Sequence, residues 1–176
     1  MHRAEEDVLV LEAQKGSEKA FSLLYRHYYG PLVRYAWRLL GDRERAQDVV
    51  QDAWVTIARK MQGLRDVRAF RAWAYRSVRW RAVDMIREKS LVSLSDISEP
   101  KASCQTSEQG MTPDQLQRAI AALPQVEGEA VYLFYLEELT AREIAAVLKI
   151  PTGTVKTRLM RARSRLRQYI TGAEND

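Results

Sequence analysis

From Thr152 to Ile170 the chain sets out Lys156, Arg158, Arg161, Arg163, Arg165 and Arg167 with no acid among them. Guanidinium and ammonium groups in such a row neutralise phosphates, and Arg or Lys can also read base edges in a major groove. Val155, Leu159, Ala162, Leu166 and Tyr169 recur at heptad-like steps through the same stretch, so a helix here is apolar behind and basic in front. Thr152, Gly153 and Thr154 open it and offer free N–H groups to a phosphate. Recognition helices touch bases with their N-terminal residues. That order makes Lys156, Thr157, Met160 and Arg161 the base readers, flanked by Thr154 and Arg158, and leaves Arg163, Arg165 and Arg167 for phosphate.

A basic amphipathic helix alone would be read as a solvated face. What changes the reading is the sequence in front of it. Thr140-Ala-Arg-Glu143 is a capping box that starts a short helix ending near Leu148, and Lys149-Ile-Pro-Thr-Gly153 makes a tight turn. Ile144, Ala145 and Leu148 form the buried side of that helix, and Ile150 fills the turn. A short capped helix, a three- to four-residue turn and a long basic helix make a helix-turn-helix.

A second basic segment lies upstream. From Arg65 to Lys89 there are eight basic residues against three acids. The chain as a whole carries +5, so the residues outside the two basic segments sum to −6. This segment also holds Phe70, Trp73, Tyr75 and Trp80. Aromatics among arginines suit stacking with unpaired bases. Trp73 falls in an apolar stripe and reads as core. Tyr75 and Trp80 fall off it, and either stack on nucleic acid or pack on a neighbouring element. Two basic segments in an otherwise acidic chain point to two contacts along one nucleic acid.

Chemistry of other kinds has little to work with. His2 and His27 stand apart, Cys104 is the single cysteine, and neither a nucleophile motif nor a Gly-rich phosphate loop occurs. The expectation is a protein that is not an enzyme and has no metal or cofactor. Two other classes compete: a stand-alone helix-turn-helix repressor or activator, and an enzyme that modifies nucleic acid.

The elements that must position these residues are helical. Only eight Gly and five Pro occur in 176 residues, 46% of them hydrophobic, and apolar residues return at steps of three and four. Residues 5–14 predict a short helix with Val8, Leu9 and Leu11 inward. The next, 17–40, should kink or break at Gly30-Pro31. Gly41 and Asp42 separate it from a helix over 43–61, whose stripe is Ala46, Val49, Val50, Ala53, Trp54, Ile57, Ala58 and Met61. A helix over 68–88 buries Phe70, Trp73, Ala74, Val78, Ala82, Met85 and Ile86. Residues 88–111 then hold six serines, one Pro and one Gly without periodicity, which reads as a flexible linker. Thr112-Pro113-Asp114-Gln115 caps a helix over 113–123, and another follows over 126–138. The expected fold class is all-α: a helical domain over 1–88, a linker over 89–111 and a helix-turn-helix domain over 112–176.

These residues resemble the extracytoplasmic-function sigma factors of bacterial RNA polymerase. LYRHYYGPLVRYAWRLLGDRERAQDVVQDAWVTIARK, with FRAWAYRSVRWRAVDMIRE after it, is similar to sigma region 2. ALPQVEGEAVYLFYLEELTAREIAAVLKIPTGTVKTRLMRARSRLR is similar to region 4. The resemblance implies a factor that binds core polymerase and directs it to promoters. Asp48, Gln51 and Asp52, otherwise plain surface on an acidic helix face, become the polymerase-docking residues. The loop and helix from Leu64 to Arg87 melt and hold the −10 element, with Arg71, Tyr75, Arg76, Arg79, Trp80, Asp84 and Arg87 at the strand. The helix-turn-helix reads the −35 element. Trp80 departs from the Asn common in the family, which exchanges a base-edge hydrogen bond for a stacking surface. The resemblance further implies an anti-sigma partner. With no apolar leader after a basic start and no apolar run of about 18–20 residues, the expectation is a cytoplasmic protein without membrane contact.

Overall fold

The computed structural model describes residues 1–92, 120 and 122–172. The chain divides into two units, Met1–Lys101 and Ala102–Asp176. Every regular element among the described residues is helical.

The first unit is built from α1 (Arg3–Gln14), α2 (Glu18–Leu40), α3 (Arg43–Lys60) and α4 (Phe70–Val92). Its joints follow local chemistry. The Ser17 hydroxyl accepts from Ala20 N–H at the start of α2, and the Asp42 carboxylate accepts from Arg45 N–H at the start of α3. Between them Gly41 takes φ 68°, the left-handed conformation that closes α2 at little steric cost.

The core is aromatic. Tyr28 meets Phe70 with ring centroids 5.6 Å apart, Tyr35 meets Tyr75 at 5.4 Å, and Phe21 stands edge-on to Trp54 at 5.5 Å. Leu24, Leu32, Val50, Ile57 and Val78 fill the spaces between α2, α3 and α4 with no exposed surface. Each such side chain contributes about 1.5–3 kcal/mol by burial.

Three expectations give way here. First, of the kink or break expected at Gly30-Pro31 the break does not occur, since α2 runs through Pro31 as one helix. A helix-interior proline costs about 3 kcal/mol, but Tyr28 and Leu32 are buried on either side of it and their packing offsets that cost. Second, α1 turns the other way. It buries Glu6, Val10 and Ala13, a run of i, i+4 and i+7, while Val8 and Leu11 face outward. Apolar residues occur on both sides of this helix, so its pattern could not choose the face. Third, α4 extends to Val92, so the helix continues into the segment expected as linker. The remainder of that linker, the Thr112 capping box and nearly all of the 113–123 helix lie outside the described residues.

The second unit holds α5 (Gln125–Val131), α6 (Ala141–Leu148) and α7 (Thr152–Gly172). The helix expected over 126–138 is shorter, because the chain widens after Val131 into a π turn over Tyr132–Leu136. The capping box at α6 is formed: Thr140 Oγ1 accepts from Glu143 N–H at 3.2 Å, and Glu143 Oε2 accepts from Thr140 N–H at 2.7 Å. Lys149 closes α6 in the left-handed conformation at φ 54°. Ile144, Val147 and Leu148 of α6, with Val155, Leu159 and Ala162 of α7, are buried. This is a helix-turn-helix with its second helix backed by apolar side chains.

Candidate nucleic-acid interface

On α7 the buried residues Val155, Leu159 and Ala162 fix which side remains outside. Thr154, Lys156, Thr157, Met160 and Arg161 are all exposed, Met160 by 63%, whereas Arg158 is half-buried. Gly153, Lys156, Thr157, Met160 and Arg161 share one face by helical spacing. The Thr157 hydroxyl donates to the Gly153 carbonyl at 3.0 Å, which fixes its rotamer and leaves its oxygen lone pairs outward.

Farther along, the arginines expected at phosphate have partners within the domain. Arg163 Nε donates to the Tyr135 hydroxyl at 2.7 Å, and its guanidinium lies 5.7 Å from the Phe134 ring. Arg165 Nε stands 3.1 Å from Glu127 Oε2, a carboxylate whose side chain is only 8% exposed. These contacts tie α7 to α5 and the π turn. Sequence reasoning missed Glu127 and Tyr135, because nothing local marks a glutamate and a tyrosine some 28 to 38 positions upstream as partners of this helix.

In the first unit α3 presents Asp48, Gln51 and Asp52 outward, with Val55 beside them. Asp52 is also joined to α4. Arg81 donates from Nη1 to Asp52 Oδ2 at 3.2 Å and from Nη2 to Thr56 Oγ1 at 2.8 Å. The same guanidinium lies 6.0 Å from the Trp80 ring. Arg81 was not among the sequence-derived site residues, since it reads as one more surface cation.

Along α4, Arg76, Trp80 and Arg87 are exposed, Trp80 by 57%, while Arg79 and Asp84 are half-buried. One of the expected strand contacts does not stand there. Tyr75 is 1% exposed and packs on Tyr35, so it is core and cannot stack on a base. Its position off the assumed stripe misled because α4 is buried on a broader arc, against both α2 and α3. Arg71 is half-buried with Nε shielded from solvent, and its charge acts on Glu6 and His27. Conversely, Trp73, expected as core, is half-exposed. With Arg59, Lys60, Gly63 and Leu64 it lines an open depression of about 450 Å³ at the foot of the loop that leads into α4. In that loop the Asp66 carboxylate accepts from Arg68 N–H at 3.1 Å and from Arg68 Nε at 3.0 Å, which holds the Asp66 carboxyl below its usual range.

A helix-turn-helix with a basic outward face, together with a separate helical unit that carries an exposed tryptophan among arginines, defines a two-domain DNA-recognition protein. Residues 24–91 match the family described as Sigma-70 region 2, and residues 114–166 match the one described as Sigma-70, region 4. The chain belongs to the sigma-70 family, in its extracytoplasmic-function group, and is an RNA polymerase sigma factor for promoter recognition. Sigma factors are regulatory DNA-recognition proteins rather than enzymes.

The chain is 32% identical to the ECF RNA polymerase sigma-E factor of Escherichia coli (strain K12) over 180 residues, covering 90% of each. It is 27% identical to the ECF RNA polymerase sigma factor SigW of Bacillus subtilis (strain 168), over 92% of this chain and 94% of that one. Among solved structures its fold is similar to the sigma factor RpoE in complex with the anti-sigma factor NepR from Bartonella quintana, with TM-score 0.69 and 21% identity over 87% of this chain and 98% of that one. It is also similar to CnrH in complex with the cytosolic domain of CnrY, with TM-score 0.68 and 22% identity over 96% and 98%. No helix among the described residues is long and apolar enough to cross a membrane.

Proposed function

We propose that the first unit both docks on core polymerase and holds the −10 strand, while the second reads the −35 duplex. The observation that carries this reading is the contrast between two exposed surfaces. One is the Lys156–Thr157–Met160–Arg161 face of α7, shaped for a major groove. The other is the α4 surface with exposed Arg76, Trp80 and Arg87, whose N-terminal part contributes Trp73 to a depression walled also by Arg59 and Lys60. A groove-reading helix needs duplex, whereas an exposed indole among cations needs unpaired bases. Lys156 and Arg161 donate to base edges, Met160 meets a thymine methyl group and Thr154 lies at the phosphate. Asp48, Gln51 and Asp52 form the polymerase-docking face. Binding energy from strand capture offsets local melting, and the polymerase performs the chemistry.

The protein works in the cytoplasm, and its partners are core RNA polymerase, promoter DNA and an anti-sigma protein. The last is supported by the structures of RpoE with NepR and of CnrH with CnrY. Run-off transcription tests the whole. Core polymerase should initiate at defined sites only with this protein added, and Asp48→Arg should abolish co-elution with core while leaving the fold intact. Tight sequence-specific duplex binding by the purified chain, without core, would favour a stand-alone regulator and sink the proposal.

A further inference from the structure

Gln14, the last residue of α1, is distant in sequence from every promoter-facing element, yet its side chain ends on one. Its Nε2 donates to the Met61 carbonyl at 3.0 Å and to the Leu64 carbonyl at 2.7 Å. A carboxamide nitrogen carries two hydrogens, so both are committed to this single segment. The Met61 carbonyl also accepts from Leu64 N–H at 3.1 Å. The amide therefore clasps the 3-10 turn Met61–Gly63 where the chain leaves α3 for the loop that feeds α4. Gly63 has no side chain to anchor that turn, and a Cβ placed there would meet nothing within 4 Å. At its far end the loop is held by Phe70, which is fully buried. Between these two anchors Arg65, Asp66 and Arg68 are exposed.

We infer that Gln14 is a positioning residue for −10 strand capture: it touches no DNA, but its paired hydrogen bonds hold the Met61–Leu64 segment, and with it the depression lined by Lys60, Gly63, Leu64 and Trp73, in the shape that receives an unpaired base. The inference rests on the reading that this loop and α4 take the −10 strand. Without the clasp the loop's entry point gains freedom, and the entropy of ordering it is then charged to DNA binding.

Two variants test it. Gln14→Glu keeps the shape, removes both donors and faces a carboxylate toward two carbonyls. Gln14→Met keeps the length without charge, and it keeps the test open if Gln14→Glu fails to fold. Each is assembled into holoenzyme, and binding of a labelled single-stranded −10 oligonucleotide is measured beside core affinity and retention on −35 duplex. Strand affinity should fall about tenfold, the scale set by two lost hydrogen bonds, with the other two readouts unchanged. The defect should persist on a template already unpaired at −10, because capture and not melting is impaired. Parental strand affinity in a folded variant would overturn the inference, as would a parallel loss of all three readouts. A parent holoenzyme that itself ignores the −10 strand would overturn the reading of α4, and this inference with it.

Discussion

Arg81 of α4 bridges to Asp52 of α3 at 3.2 Å, so a residue of the acidic outward face of α3 is held by the helix that carries Trp80. The pair is partly solvated, with side chains 30% and 67% exposed, and such pairs contribute about 0–1 kcal/mol. Its consequence is geometric. The bond from Arg81 to Thr56 at 2.8 Å adds a second tie between the same two helices. Arg81→Ala should lower unfolding free energy by about 1 kcal/mol in urea titration. It should weaken −10 strand binding as well, by freeing the Trp80 ring from its neighbouring cation. Asp52→Asn should instead weaken co-elution with core polymerase. Equal effects of both changes on both assays would show that the bridge does not separate the two surfaces.

Trp80→Ala should weaken binding of single-stranded −10 DNA by about 1–3 kcal/mol, the range for one base–aromatic stack. Trp80→Phe should retain most of the affinity. Because the indole is 57% exposed, thermal stability should change little in either variant. Anisotropy with a labelled strand and a melting curve measure the two effects separately. A large drop in melting temperature for Trp80→Ala would assign the ring to packing.

Tyr75 shows where the sequence stopped being legible. The local signals were strong: the Asp42 cap, the Gly41 stop and the Thr140 capping box are written in adjacent residues and formed as expected, as did the α3 stripe apart from Ala58, which is exposed. What could not be read was which arc of a helix meets more than one neighbour. Tyr75 lay off a stripe drawn for one contact, and α4 makes two; α1 offered apolar residues on both sides. The intradomain partners of Arg163 and Arg165, Tyr135 and Glu127, were illegible for a related reason, since they are set by tertiary packing. Tyr75→Ala should accordingly cost about 3–5 kcal/mol of stability, as large-to-small core changes do. Chemical denaturation measures it, and a stable variant with a selective DNA defect would return Tyr75 to the surface.

Lys156 and Arg161 separate from Arg165 by experiment. Alanine at Lys156 or Arg161 should weaken −35 duplex binding by about 1–3 kcal/mol per lost base contact and relax preference at one base pair. Alanine at Arg165 leaves Glu127 buried without its partner. That variant should lose stability in the second unit and weaken binding evenly across sequences. A change in base preference for Arg165→Ala would place it at the groove.

Glu6 supplies a pH dependence. It is 7% exposed, and burial raises its carboxyl above the usual range, against the lowering effects of the Tyr28 hydroxyl and the Arg71 charge. A raised carboxyl holds its proton longer in the folded state than in the unfolded one. Stability from this group is therefore complete below the unfolded value of about 4.3 and is lost as pH climbs through the folded value. Replacing the acid by an amide removes the titration but keeps a polar group beside Tyr28 and Arg71. Glu6→Gln should melt at the same temperature as the parent near pH 4 and at a higher temperature near pH 7, with the gap opening between. The direction follows from desolvation outweighing the Arg71 attraction. If Glu6→Gln were the less stable protein at neutral pH, the attraction would be the larger effect, and Glu6 would be a charged anchor for α1 instead of a buried cost.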